Sequence, residues 1–218
     1  MDLPGFLKNI SIYAIPLLFA ITLHEVAHGW TARLFGDRTA QMLGRLSLNP
    51  LRHIDPLGTL LVPGVLLAIG GPPIGWAKPV PVATSALRNP RRALVFVALA
   101  GPAANLAMAV VWCGVLSIVL RIHGNVMLLS WIELMCQAGI VVNVVLAVFN
   151  LLPVPPLDGG RVLAGLLPAR WGSRLQKFEP IGLLLVLGLS VMRWLDWLFV
   201  PAFRLIGRVL AVVMASAA

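Results

Sequence analysis

Apolar residues in this chain gather into long runs broken by short polar stretches, with little of the alternation that marks half-buried strands. The runs at 10–34, 93–120, 131–152 and 181–199 each approach or exceed the roughly 20 residues a helix needs to cross a hydrocarbon core. Four spanning helices are therefore predicted. Two further runs are ambiguous. Segment 57–75 holds Pro63, Pro72, Pro73 and five glycines, which disfavour a regular spanning helix. Segment 200–217 carries Arg204 and Arg208 and fits either a short span or an interfacial amphipathic helix. Alternation appears only in two short pieces, Gly44 to Pro50 and Lys78 to Val82, which read as strand-like. Pro79 and Pro81 both remove amide donors from one edge of the second piece, so only its other edge is able to pair fully.

Composition agrees with a bilayer as solvent. The 218 residues are 59% hydrophobic and 11% charged, with mean hydropathy +0.93, far from the balance of a soluble domain. The first apolar run continues straight into His24 with no small-residue cleavage site, so it reads as a retained helix rather than a signal peptide. The net charge of +9 does not point to nucleic acid, because the basic residues lie between apolar runs and form no aromatic-laced stripe. They mark topology instead. Segments 35–56, 76–92 and 153–180 are basic, whereas 121–130 holds only Arg121. Lys and Arg collect on the cytoplasmic face. The three basic segments share that face if 57–75 dips in and returns, and the first helix then runs inward. Arg193, Arg204 and Arg208 are not explained by this scheme. Cys113 and Cys136 each sit inside an apolar run, as packing residues and not a disulfide or a thiolate zinc site.

The candidate chemistry lies in His24-Glu25-Val26-Ala27-His28. Two histidines four residues apart stack on one helix face, a spacing suited to two imidazoles on one Zn²⁺. Glu25 lies beside them, placed to act as general base without being a ligand. Ionisable groups inside an apolar span are costly and mark function by default. A catalytic zinc takes three protein ligands and keeps one open position. The third is sought among Asp158, His53, His123, Asp55 and Glu133. Asp158 is preferred because it follows a span and sits in Asn150-Leu-Leu-Pro153-Val-Pro155-Pro156-Leu-Asp158-Gly159-Gly160, where prolines end the helix and glycines permit a sharp turn. The inferred topology brings the inner end of the first helix, the end of 131–152 and Gly101-Pro-Ala-Ala-Asn105 to one depth. A full crossing at 57–75 would separate the ligands. Asn105 reads either as orienting a ligand or substrate or as helix packing, and Asn143 as packing.

These motifs together resemble the site-2 protease family of intramembrane zinc metalloproteases in compact form. The resemblance extends to about residue 180 and rests on HEVAH at 24–28, GRLSLNPLRHIDPLG at 44–58, GWAKPVPV at 75–82, GPAAN at 101–105 and NLLPVPPLDGGR at 150–161. It implies Zn²⁺ on His24, His28 and Asp158, Glu25 as general base, Asn150 near the substrate or oxyanion, and substrates that are themselves transmembrane helices. Neither a PDZ-like insert nor a CBS-like domain is expected.

The expectation is thus an all-α membrane protein, a polytopic bundle with a small re-entrant β-hairpin element between the first two core helices. Residues 1–180 form the protease core and 181–218 add C-terminal helices. It is expected in a bacterial or archaeal cell membrane, with the lipid bilayer and membrane proteins as partners, no nucleic acid, and the site toward the cytoplasm. Two rivals are weaker. A di-iron oxygenase needs more than four histidines, and a zinc transporter or inactive relative has no use for Glu25 as a base.

Overall fold

The computed structural model describes residues 3–62, 65, 77–122, 126–192 and 196–215. The elements that matter are α1 (Leu3–Leu34), α2 (Thr39–Met42), α3 (Pro90–Val119), α4 (Val126–Asn150), α5 (Asp158–Leu166), α6 (Ala169–Lys177), α7 (Glu179–Val191) and α8 (Asp196–Ala215). Among the described residues, four stretches of helix are long and apolar enough to cross a membrane: Lys8–Leu34, Pro90–Val119, Met127–Asn150 and Trp197–Ala215. Large apolar side chains on these helices face outward, among them Val110, Ile118, Leu205 and Val212. Outward apolar faces on polytopic helices are what lipid requires. The chain is an integral membrane protein.

Three of the expected spans are found close to their predicted limits, and the fourth is displaced. Within 181–199 the first helix ends at Val191, and the described residues from Asp196 on belong to another. The helix Glu179–Val191 has 13 residues, about 20 Å at 1.5 Å per residue, too short for the hydrocarbon core. The long apolar helix is α8, which absorbs the ambiguous 200–217 run. Its packing explains the shift. Ala202 and Ile206 are buried four residues apart, and Ile206 joins Leu116 of α3 with Cys136 and Ile140 of α4 in one apolar cluster, flanked by Leu210 and Val213. An apolar stripe at helical spacing docks α8 on the bundle while Arg204 and Arg208 stay on its exposed side.

The order of contacts fixes helix directions. His28 meets Val97 and His24 meets Asn105, so α1 and α3 are antiparallel. Asn105 meets Asn143, and Leu116 meets Ile140 and Cys136, so α3 and α4 are antiparallel too. Helices α1 and α4 therefore run the same way, as the chemistry demanded. Most of the re-entrant stretch expected at 57–75 lies outside the described residues. Its described beginning is a π-helical turn, Pro56–Leu61, capped by the Asp55 carboxylate accepting from Leu57 and Gly58 amides at 2.9 Å.

No strand occurs among the described residues, and the pieces at 44–50 and 78–82 do not pair as a ladder. Isolated contacts take the place of a ladder there. The Arg45 guanidinium donates to Lys78 O at 2.7 Å, and the Lys78 amide donates to His53 O at 2.9 Å. With Pro79 and Pro81 lacking N–H groups, residues 78–88 are laced to α1 and its exit loop at separate points. The Val80 amide donates to Glu25 Oε2 at 2.7 Å, the Ala83 amide to Asp37 Oδ2 at 2.7 Å, and the Arg88 amide to Phe35 O at 2.7 Å.

Candidate metal centre

His24 and His28 lie on the α1 face that meets α3, each less than a tenth exposed. Asp158, the first residue of α5, is also buried, and α5 packs on α3. The three side chains converge: His24 Nε2 and His28 Nε2 are 3.0 Å apart, and Asp158 Oδ2 lies 3.2 Å from the first and 3.3 Å from the second. They are the one His/Cys/Asp/Glu group of metal-binding geometry among the described residues.

The far side of each ring is held. His28 Nδ1 donates to Val97 O at 2.7 Å; a carbonyl only accepts, so the proton is on Nδ1 and the Nε2 lone pair is free. His24 Nδ1 meets Asn105 Oδ1 at 2.6 Å, which fixes the same tautomer. Asp158 Oδ2 is buried without a hydrogen-bond partner. Two imidazole lone pairs and a carboxylate oxygen facing one another repel unless a cation lies between them. Two neutral imidazoles and one carboxylate, each oriented from behind, form a donor set that fits Zn²⁺.

Glycines make the room. A Cβ on Gly101 would fall against His28 Nε2 and 2.6 Å from His24 Cε1, so the GPAAN segment approaches the rings only because it starts with glycine. Gly159 and Gly160 serve close approach rather than the expected sharp turn. They are helical, and side chains there would strike the backbone of Leu151 and Leu152, or of Val154 and Pro155. Tight contact with that turn seats the start of α5, and with it Asp158, against α1.

Glu25 is half-buried, one residue from His24, with Oε2 accepting from the Val80 amide. A cavity of about 360 Å³ is walled by Val80, Val82, Leu94, Val97 and Ala98, with Arg161 among its polar lining. Two of those walls, Val80 and Val97, bond directly to Glu25 and His28.

The other candidates stand elsewhere. His53 is buried in the loop, donating from Nε2 to Ser47 O at 2.8 Å. Asp55 caps the π-turn, and Glu133 Oε1 accepts from Gln137 Nε2 at 3.1 Å on α4. His123 lies outside the described residues. Asn105 turns to His24 and is buried there. Asn150 ends α4, half-buried, with Nδ2 donating back to Leu146 O at 3.0 Å. One residue went unremarked in the sequence and another was underread. Gly29, next to His28, leaves space for Val80 Cγ1, which would lie 2.9 Å from a Cβ there. Asn143, read as packing, hydrogen-bonds Asn105 at 3.1 Å. A polar residue inside a span was the available signal for Asn143, and a glycine after a paired-histidine motif for Gly29.

Comparison with known proteins agrees. A model of peptidase family M50 matches residues 112–192, which include Asp158. The chain is 39% identical over 180 residues to "Putative zinc metalloprotease YwhC" of Bacillus subtilis, covering 81% of this chain and 78% of that one. It is 33% identical over 183 residues to "Putative zinc metalloprotease Rip2" of Mycolicibacterium smegmatis, covering 84% and 68% respectively. No solved structure matches. The chain belongs to peptidase family M50, the site-2 protease family, and is a zinc metalloprotease of the membrane.

Proposed function

We propose that His24, His28 and Asp158 hold the zinc, that Glu25 is the general base, and that the protein cleaves peptide bonds within or near transmembrane segments of membrane proteins. The observation that carries this reading is the convergence of three buried donor atoms, within 3.3 Å of one another, two of them on a helix of spanning length. A protease site enclosed by spanning helices is reached most directly by a substrate that shares the bilayer.

Zinc, when bound, supplies the Lewis acidity that makes water a nucleophile near neutral pH. The remaining work falls to the chain. The Val80 amide orients the Glu25 carboxylate through Oε2, leaving Oε1 to take the water's proton and return it to the leaving amine. Asn150, whose Nδ2 donates to Leu146 O, is assigned to the developing oxyanion, to which that amide would donate once released. A helical substrate hides its carbonyls in its own hydrogen bonds, so it opens locally before cleavage. The apolar cavity beside Val80 accepts an uncovered side chain, and residues 78–82, already extended, lie along its wall. Residues 1–180 make up this core, with 181–218 appended, and the basic segments orient the site toward the cytoplasm.

Purified protein with a model membrane substrate tests the reading. Glu25→Gln retains zinc and loses cleavage by at least a hundredfold, while Asp158→Ala weakens zinc binding. Full cleavage by the Glu25→Gln protein would overturn the mechanism; a transporter-like role for the metal predicts instead that wild type cleaves nothing and that Glu25→Gln leaves its metal-dependent function intact.

A further inference from the structure

We infer that Asn143, which does not touch the metal centre, sets the proton position on His24 through a two-amide relay. The inference rests on the proposed metal centre. An asparagine amide is able to turn either its oxygen or its nitrogen to His24, and the two choices have opposite consequences. With Oδ1 toward the ring, Nδ1 carries the proton and Nε2 is free to bind metal. With Nδ2 toward the ring, Nδ1 must accept, the proton moves to Nε2, and the ligand is blocked.

The relay settles the choice from an atom with no ambiguity. The Gly139 carbonyl only accepts. Asn143 Nδ2 donates to it at 2.8 Å, so Asn143 Oδ1 faces the other way. Asn105 Nδ2 donates to that oxygen at 3.1 Å, so Asn105 Oδ1 faces His24 Nδ1 at 2.6 Å. The Ala20 carbonyl adds a weaker bias in the same sense, 3.5 Å from Asn105 Nδ2. Both asparagines are at most 1% exposed, so water does not substitute for a missing partner. Direction passes from a backbone carbonyl on α4, through an amide on α3, to an imidazole on α1. His28 needs no such relay because Val97 O faces its Nδ1 directly.

Polar pairs between spanning helices also serve as packing, and the two roles predict opposite mutant orders. Asn143→Asp keeps an acceptor toward Asn105 whether ionised or protonated, and the relay survives. Asn143→Leu fills similar volume without a polar atom, leaving Asn105 free to turn. If Asn143 positions His24, zinc affinity measured by chelator competition on the full-length protein in detergent falls about 10- to 100-fold in Asn143→Leu. It stays within about threefold of wild type in Asn143→Asp. If Asn143 only packs, the leucine variant binds like wild type and the buried acid is the weaker one. That order, or equal affinities in the two variants, overturns the inference. A measurement on wild type is independent of variant folding. In metal-free protein with ¹⁵N-labelled histidine at about pH 9, above the ordinary imidazole range, His24 carries its proton on Nδ1. Finding it on Nε2 overturns the relay. Wild type that binds no zinc would overturn the metal-centre reading instead, and the tautomer would still report on the relay.

Discussion

Helices α3 and α4 meet twice, and the two meetings differ in kind. At one level Asn105 and Asn143 hydrogen-bond beside Gly101, and the surroundings are small or polar. About three turns along α3, Leu116 packs on Cys136 and Ile140, joined by Ile206 of α8 in an apolar cluster. The apolar meeting fills space, and many side chains of similar shape would fill it. The polar meeting holds few atoms, each aimed, and it adjoins the proposed metal centre. Stability and orientation are therefore assigned to different ends of the same helix pair.

Substitutions that act on one end alone sharpen this contrast. The largest effect is expected for Gly101→Ala, whose methyl would be driven into the ring edges of His24 and His28. Zinc affinity falls by about a hundredfold or more, as for displaced ligand geometry, while the apolar end is untouched. Metal content after dialysis checks it. Leu116→Ala acts at the other end. It leaves a cavity in a fully buried site and costs about 2 kcal/mol or more of stability, read from thermal denaturation in detergent, with zinc content unchanged.

Smaller effects are expected where residues 78–88 cross α1. In Gly29→Ala the new methyl presses on Val80 and Leu46 side chains. These can yield, so zinc and fold persist while kcat falls several-fold, roughly 1 kcal/mol in the barrier, because the amide that orients Glu25 is displaced. Asp37 supplies a pH signature. Burial pushes its carboxyl up, but the Thr39 hydroxyl and the amides of Thr39 and Ala83 outweigh that and lower it. A folded-state value below the unfolded one stabilises above the unfolded value and is lost as pH falls through the folded one. Below about pH 4 this contribution fades in wild type, and Asp37→Asn has a flatter acid limb in a stability profile.

The convergence of His24, His28 and Asp158 and the parallel course of α1 and α4 were legible in the sequence because each left a dense local signal. His24 and His28 share one turn, and Asp158 sits where prolines and glycines break a span. The displaced fourth span was less legible. Hydropathy does not distinguish 181–199 from 196–215; what does is the Ala202, Ile206 and Leu210 stripe, which gains meaning only against Leu116 and Ile140. The strand-like pieces misled for a similar reason. Alternation at 44–50 and 78–82 reports extended backbone, but their amides and carbonyls are taken by Arg45, Glu25 and His53, partners that local periodicity does not reveal. Asn143 was underread because one buried amide on a spanning helix looks alike whether it packs or directs.

Zinc K-edge absorption on the purified protein tests the central claim most directly. The account predicts two imidazole nitrogens at about 2.0–2.1 Å with oxygen completing the shell and no sulfur. A sulfur shell at about 2.3 Å, or a spectrum that Asp158→Ala leaves unchanged, would contradict it.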